Sequence, residues 1–116
     1  MICRIWHGWT AHANADAYDS YLRSELFPLV KRDLGMHGYR GFHVLRLDRG
    51  AEVEFMTMVW FESMKAVEKF AGANCETPVI SEKARKLLSH FENRCEHYQL
   101  SGFEWPLGEE QKGGRI

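Results

Sequence analysis

The chain has no excess of positive charge, which closes off one large class of function at once. Its 15 Lys and Arg stand against 16 Asp and Glu, a formal net charge of −1 at pH 7. Binding a phosphate backbone needs clustered, uncompensated cations. The densest basic group, Lys83, Arg85 and Lys86, falls on a predicted helix and reads as a solvated face, so no nucleic-acid partner is expected. Apolar runs long enough to span a bilayer are also missing. The opening Met1-Ile2-Cys3-Arg4-Ile5-Trp6-His7 reads as a strand and not as a signal peptide. A cytoplasmic protein with no membrane partner is the expectation. Cysteine is scarce: Cys3, Cys75 and Cys95 form an odd count without a Cys-x-x-Cys, which argues against a disulfide framework and a zinc knuckle. A P-loop, a Gly-x-Gly-x-x-Gly and a Ser-centred elbow are all absent, and with them kinase, dinucleotide-binding and hydrolase readings. Neither His-x-His nor Glu-x-x-His occurs, and Glu96 and His97 point to opposite faces of one strand. No metal and no cofactor are expected.

What is present is a regular alternation of strand and helix patterns. At 116 residues the chain suits one domain with a real core. Residues 2–9 read as a strand with Ile2, Arg4, Trp6 and Gly8 on one face and Cys3, Ile5, His7 and Trp9 on the other. Asn14 is placed to cap a helix running to about Leu34, buried along Tyr18, Leu22, Leu26, Leu29 and Val30, with Pro28 expected to kink it or end it early. A strand from Tyr39 to Leu47, the turn Asp48-Arg49-Gly50-Ala51 and the run Phe55 to Phe61 predict a hairpin. Ser63 caps a helix with Met64, Val67 and Phe70 on one side, Val79 to Ser89 forms another with Ser81 as a possible cap, and Cys95 to Leu100 is the last strand.

That order is βαββαβ: an α+β, ferredoxin-like sandwich with a four-stranded antiparallel sheet and helices on one face. Residues 1–100 make the domain, and 101–116 make a tail, partly disordered or docked on a partner through Phe103 and Trp105. The first and third strands are central, and the run Phe55-Met56-Thr57-Met58-Val59-Trp60-Phe61 is apolar on both parities. One layer of helices covers only one sheet face. A homodimer that buries the second face, with a barrel closed between subunits, follows.

Candidate chemistry sits on the strands. His7, His43 and His97 are mid-strand, whereas His37 and His90 fall in a loop and at a helix end. A strand histidine is commonly a packing residue satisfied by a carbonyl. As a general base it has the advantage of a pKa near neutrality. Trp6, Trp9, Tyr39, Phe42, Phe55, Trp60 and Tyr98 also fall on strands. Such aromatics are usually core, but beside mid-strand histidines they suit a cavity for a flat aromatic ligand.

The segments Ile2-x-Arg4-Ile5-Trp6-His7-Gly8, Gly38-Tyr39-Arg40-Gly41, Val44-Leu45-Arg46, Glu54-Phe55, Trp60-x-Glu62-Ser63-x-x-Ala66, Phe70-Ala71-Gly72 and Glu96-His97-Tyr98 together resemble the antibiotic biosynthesis monooxygenase family over roughly residues 1–100. The resemblance implies a dimeric α+β barrel. It also implies cofactor-independent oxidation of a small aromatic phenol, quinol or anthrone-like substrate by O₂, with neither metal nor flavin. Trp60 matches the tryptophan that closes the third strand in active members. The first-strand asparagine of haem-degrading and some quinone-forming members is replaced by Trp6 or His7. The haem-ligating helix histidine has no counterpart in Met64 to Ala73, which disfavours the haem-degrading branch. The site expected on this basis has His7, His97 and Trp60 in catalytic roles and Arg4, Trp6, His43, Met58 and Tyr98 against the substrate. His7 and His97, on neighbouring strands, are expected to reach one cavity. The rival readings are a non-catalytic ligand-binding or stress-associated dimer of the same fold, and a scaffold whose histidines and indoles only pack.

Overall fold

Strand β1 (Ile2–Ala11) organises the molecule, because every other strand but one bonds to it. In the computed structural model, which describes residues 1–104, it is followed by a 3₁₀ turn (His12–Asn14), helix α1 (Ala15–Tyr21), a π-helical stretch (Leu22–Leu26) and helix α2 (Phe27–Leu34). The hairpin strands β2 (Tyr39–Asp48) and β3 (Glu52–Phe61) come next, then α3 (Met64–Ala71), α4 (Glu82–Leu87), β4 (Leu88–Phe91) and β5 (Glu96–Gln99). The sheet is antiparallel in the order β2-β3-β1, and β4 and β5 both pair with the far edge of β1. β1 and β3 are central, and the fold is the α+β, ferredoxin-like one with an open sheet.

The last strand is divided, which corrects the four-strand expectation. β4 pairs with Gly8 to Thr10 and β5 with Ile2 to Ile5. Between them the chain steps away from the sheet at Glu92, whose N–H donates to the His7 carbonyl (3.0 Å) and whose carbonyl accepts from the Trp6 indole (2.7 Å). The helix expected to reach Ser89 therefore stops at Leu87, and Leu88 is the first strand residue, buried against the core.

The first helical segment also differs from its sequence pattern, for a backbone reason. Pro28 has no N–H for the carbonyl four residues back, and its ring crowds that carbonyl. The π-helical stretch directly before it adds one residue to the turn, so the helix runs through Pro28 instead of ending. The inward positions shift with the added residue. Tyr18 and Leu22 face the core as expected, but after the π stretch Phe27 and Val30 are buried, and Leu29 is 45% exposed. Asn14 makes no side-chain cap, whereas Ser63 Oγ accepts from the Ala66 N–H (3.3 Å) and Ser81 Oγ from the Ala84 N–H (3.1 Å).

Strand β3 alternates strictly. Val53, Phe55, Thr57, Val59 and Phe61 are buried beneath the helices, and Glu52, Glu54, Met56, Met58 and Trp60 on the other face are half-buried. The core joins that inner row to Tyr18, Tyr21, Phe27, Tyr39 and Val67. The register carries the division across the sheet: Arg4, Trp6, Gly8 and Thr10 lie beside Val59, Thr57, Phe55 and Val53 on the helix side, and Ile5, His7 and Trp9 lie beside Met58, Met56 and Glu54 on the open side. The expected tail falls almost wholly outside the described residues, Trp105 included.

Candidate functional site

A cavity of about 200 Å³ lies between the helix side of the sheet, α1, α4 and the connection that precedes α4. Its wall is mostly apolar and aromatic: Trp6, Tyr18, Leu22, Phe27, Val59 and Phe70 among others. Polar groups are few. Tyr21 and Ser81 bond each other through their hydroxyls (2.7 Å). Thr57 and Cys95 contribute one small group each. Burial pushes the pKa of the Tyr18 hydroxyl and of the Cys95 thiol upwards, so both stay protonated at neutral pH.

Among the described residues one full charge reaches this wall. Arg4 lines the cavity and is only 4% exposed. Its Nη1 donates to the Cys75 carbonyl and, at 3.1 Å, to His97 Nε2, and its Nη2 donates to the Thr77 carbonyl (3.1 Å). Its guanidinium carbon also sits 5.5 Å from the Phe70 ring centroid. Burial lowers its pKa, although a guanidinium remains charged at any ordinary pH. No carboxylate pairs with it among the described residues.

This geometry separates the two histidines that were expected to share a cavity. β5 does neighbour β1, but His97 is opposite Arg4 and His7 is one step out of phase, on the open side. Adjacent strands place residues on a common face only where their registers agree, and here they differ by one position. His97 does not line the cavity, and because Arg4 donates to its Nε2, that nitrogen is the acceptor of a neutral ring. Burial and then the Arg4 charge lower its pKa. Its basic lone pair is already engaged, so a general-base role would first have to break the bond to Arg4.

The remaining expected residues gather on the open side. His7 Nδ1 bonds Glu54 (3.1 Å), whose carboxyl is held below its ordinary pKa first by Arg49 and then by His7. Trp9 stacks on His90 with centroids 4.5 Å apart. Trp60 donates its indole N–H to His43 Nδ1 (2.9 Å), Met58 pairs with His43 in register, and Tyr98, opposite Cys3, is 57% exposed. Of the eight expected site residues only Arg4 and Trp6 meet the cavity. Thr57, Tyr18, Tyr21 and Ser81 were not expected at the site, and a third strand apolar on both parities carried no signal for the face that Thr57 takes.

Neither a family sequence model nor a curated protein matches the chain. Its structure is similar to the crystal structure of a Bacillus cereus protein described as a candidate antibiotic biosynthesis monooxygenase, with a TM-score of 0.62 and 12% sequence identity over 90% of this chain and 97% of that one. The two share a fold. At that identity the likeness carries the architecture and not the chemistry. Among the described residues no helix is long and apolar enough to cross a membrane, and no group of His, Cys, Asp and Glu is disposed to hold a metal ion.

Proposed function

We propose that the chain is a cofactor-independent monooxygenase, acting on a small aromatic phenol or quinol held in the cavity between sheet and helices. The observation that carries this reading is the buried Arg4 in an otherwise apolar, aromatic-lined wall. Ionising a phenol or quinol makes it electron-rich enough to give an electron to O₂. A fixed guanidinium in a dry site favours that ionised form. Recombination of the two radicals forms a carbon–oxygen bond, and loss of water from the peroxide leaves the new carbonyl. For a phenol oxidised at the ring C–H para to its hydroxyl the balance is C₆H₅OH + O₂ → C₆H₄O₂ + H₂O. Trp6, Tyr18 and Phe70 provide flat surfaces and exclude water, and the proton leaves to solvent. The volume lies below the roughly 300–1,000 Å³ of drug-sized sites, which favours one- or two-ring substrates over a three-ring anthrone.

The open sheet face supports the homodimer. Ile5, Trp9, Leu45, Leu47, Met56, Met58 and Trp60 give it an apolar surface, with Leu45 and Leu47 exposed. A second copy would cover these residues and bring His7, His43 and Tyr98 into the interface. A cytoplasmic location fits this reading. One observation favours the rival, a non-catalytic ligand-binding dimer: no cavity-lining group among the described residues is a ready general base.

Oxygen uptake in metal-free buffer, with a panel of one- and two-ring dihydroquinones, tests the proposal. Uptake lost in Arg4→Met and retained in His7→Gln is the expected result. Absence of uptake across the panel, from protein that binds the same compounds, would replace it with the binding reading.

A further inference from the structure

Among the described residues the Arg4 charge has no counter-ion. A guanidinium carries five N–H donors. Three of Arg4's go to the Cys75 and Thr77 carbonyls and to His97 Nε2, all of them uncharged acceptors. Nε–H and one Nη2–H have no acceptor among the described residues. The acidic groups beside it are the thiols of Cys95 and Cys75, and no carboxylate among the described residues is with them. Burying a charge is costly unless it is paired. Its three bonds explain how the side chain is held, tying the connection before α4 to β1. They do not supply a counter-charge for the cation.

We propose that the cavity takes its ligand as an anion, an aromatic compound bearing a carboxylate or an acidified enol or phenol, with its oxygen on the free donors of Arg4. Arg4 is then the residue that sets specificity, by charge, while the aromatic wall accepts the ring. His97 is a positioning residue: by accepting from Nη1 it fixes the guanidinium plane. The proposal rests on the cavity being the substrate site, but it does not require oxidation.

The test therefore uses ligands that cannot turn over. Titration calorimetry compares naphthoate with naphthamide, and hydroxynaphthoquinone, an acidic enol, with its methyl ether. Bonds to a charged partner in a buried site should favour the anion by about tenfold or more in at least one pair, and the pair that shows it identifies the carboxylate or the enolate as the ligand class. Arg4→Met should abolish the preference, and Arg4→Lys should restore part of it. A loop-tying role alone would weaken acid and neutral analogue alike and leave their ratio unchanged. If Arg4→Met does not fold, the comparison on the parent protein still decides. Equal affinities in both pairs, or no binding in either, would overturn the proposal. A clear anion preference without quinol oxidation would overturn the monooxygenase reading and leave this one standing, and oxidation without any preference would do the reverse.

Discussion

Phe61 and Trp60 are neighbours in sequence, and their truncation should have opposite physical consequences. Phe61 is 0% exposed and packs against Tyr39 and Phe70, with centroids 6.1 and 5.7 Å away. Phe61→Ala should cost about 3–5 kcal/mol, as phenylalanine truncations in cores do. A chain of this length has a total stability of roughly 6–17 kcal/mol, so the loss is a large fraction of it. At about 3–6 °C per kcal/mol for this size, the melting temperature should fall by about 9–30 °C. The loss should be the same at every protein concentration, because Phe61 packs within one subunit. Trp60 is half-buried on the open face and is held by His43. Within a single subunit, Trp60→Ala should cost no more than about 1 kcal/mol, as changes away from the core do. If the open face is a subunit interface, the cost must grow with protein concentration. Chemical denaturation from below micromolar to about 100 μM, read by far-UV circular dichroism and paired with light scattering, separates the two terms. Two results would refute the reasoning: a Phe61→Ala protein within about 1 kcal/mol of the parent, or a Trp60→Ala loss that matches Phe61→Ala and ignores concentration.

Two further outcomes follow from single residues. Gly38 has φ +103°, and a Cβ there would stand 2.5 Å from the Ala66 Cβ, so Gly38→Ala should cost about 2 kcal/mol or more through backbone strain and displacement of α3; an unchanged denaturation midpoint would contradict the close approach. The lowered pKa of His97 means that folding favours its neutral ring. Its contribution to stability should be complete above 6.5, the ordinary histidine value, and should be lost as pH falls below it towards the folded-state pKa. Subtracting the pH–stability curve of His97→Gln from that of the parent isolates this step, and two parallel curves would show that Arg4 does not depend on a neutral ring.

The sequence by itself carried the architecture, because local periodicity and cap chemistry write it along the chain. The two faces of β1, the hairpin turn at Gly50, the capping serines at 63 and 81 and the central place of β1 and β3 could all be read from residue types a few positions apart. Three things could not. The π-helical stretch before Pro28 is a backbone adjustment that rotates the helix and exchanges Leu29 for Phe27 in the core. The split of the last strand depends on Trp6 and His7 holding Glu92 from a strand more than eighty residues earlier. The candidate site was divided by register. One step between β1 and β5 sends His97 to Arg4 and His7 to the other side of the sheet. Alternation fixes the faces within a strand, but pairing between strands is set by long-range packing and by where the chain leaves the sheet. Only the tertiary structure could therefore decide which expected residues meet, and show that Arg4 lies buried with no carboxylate beside it among the described residues.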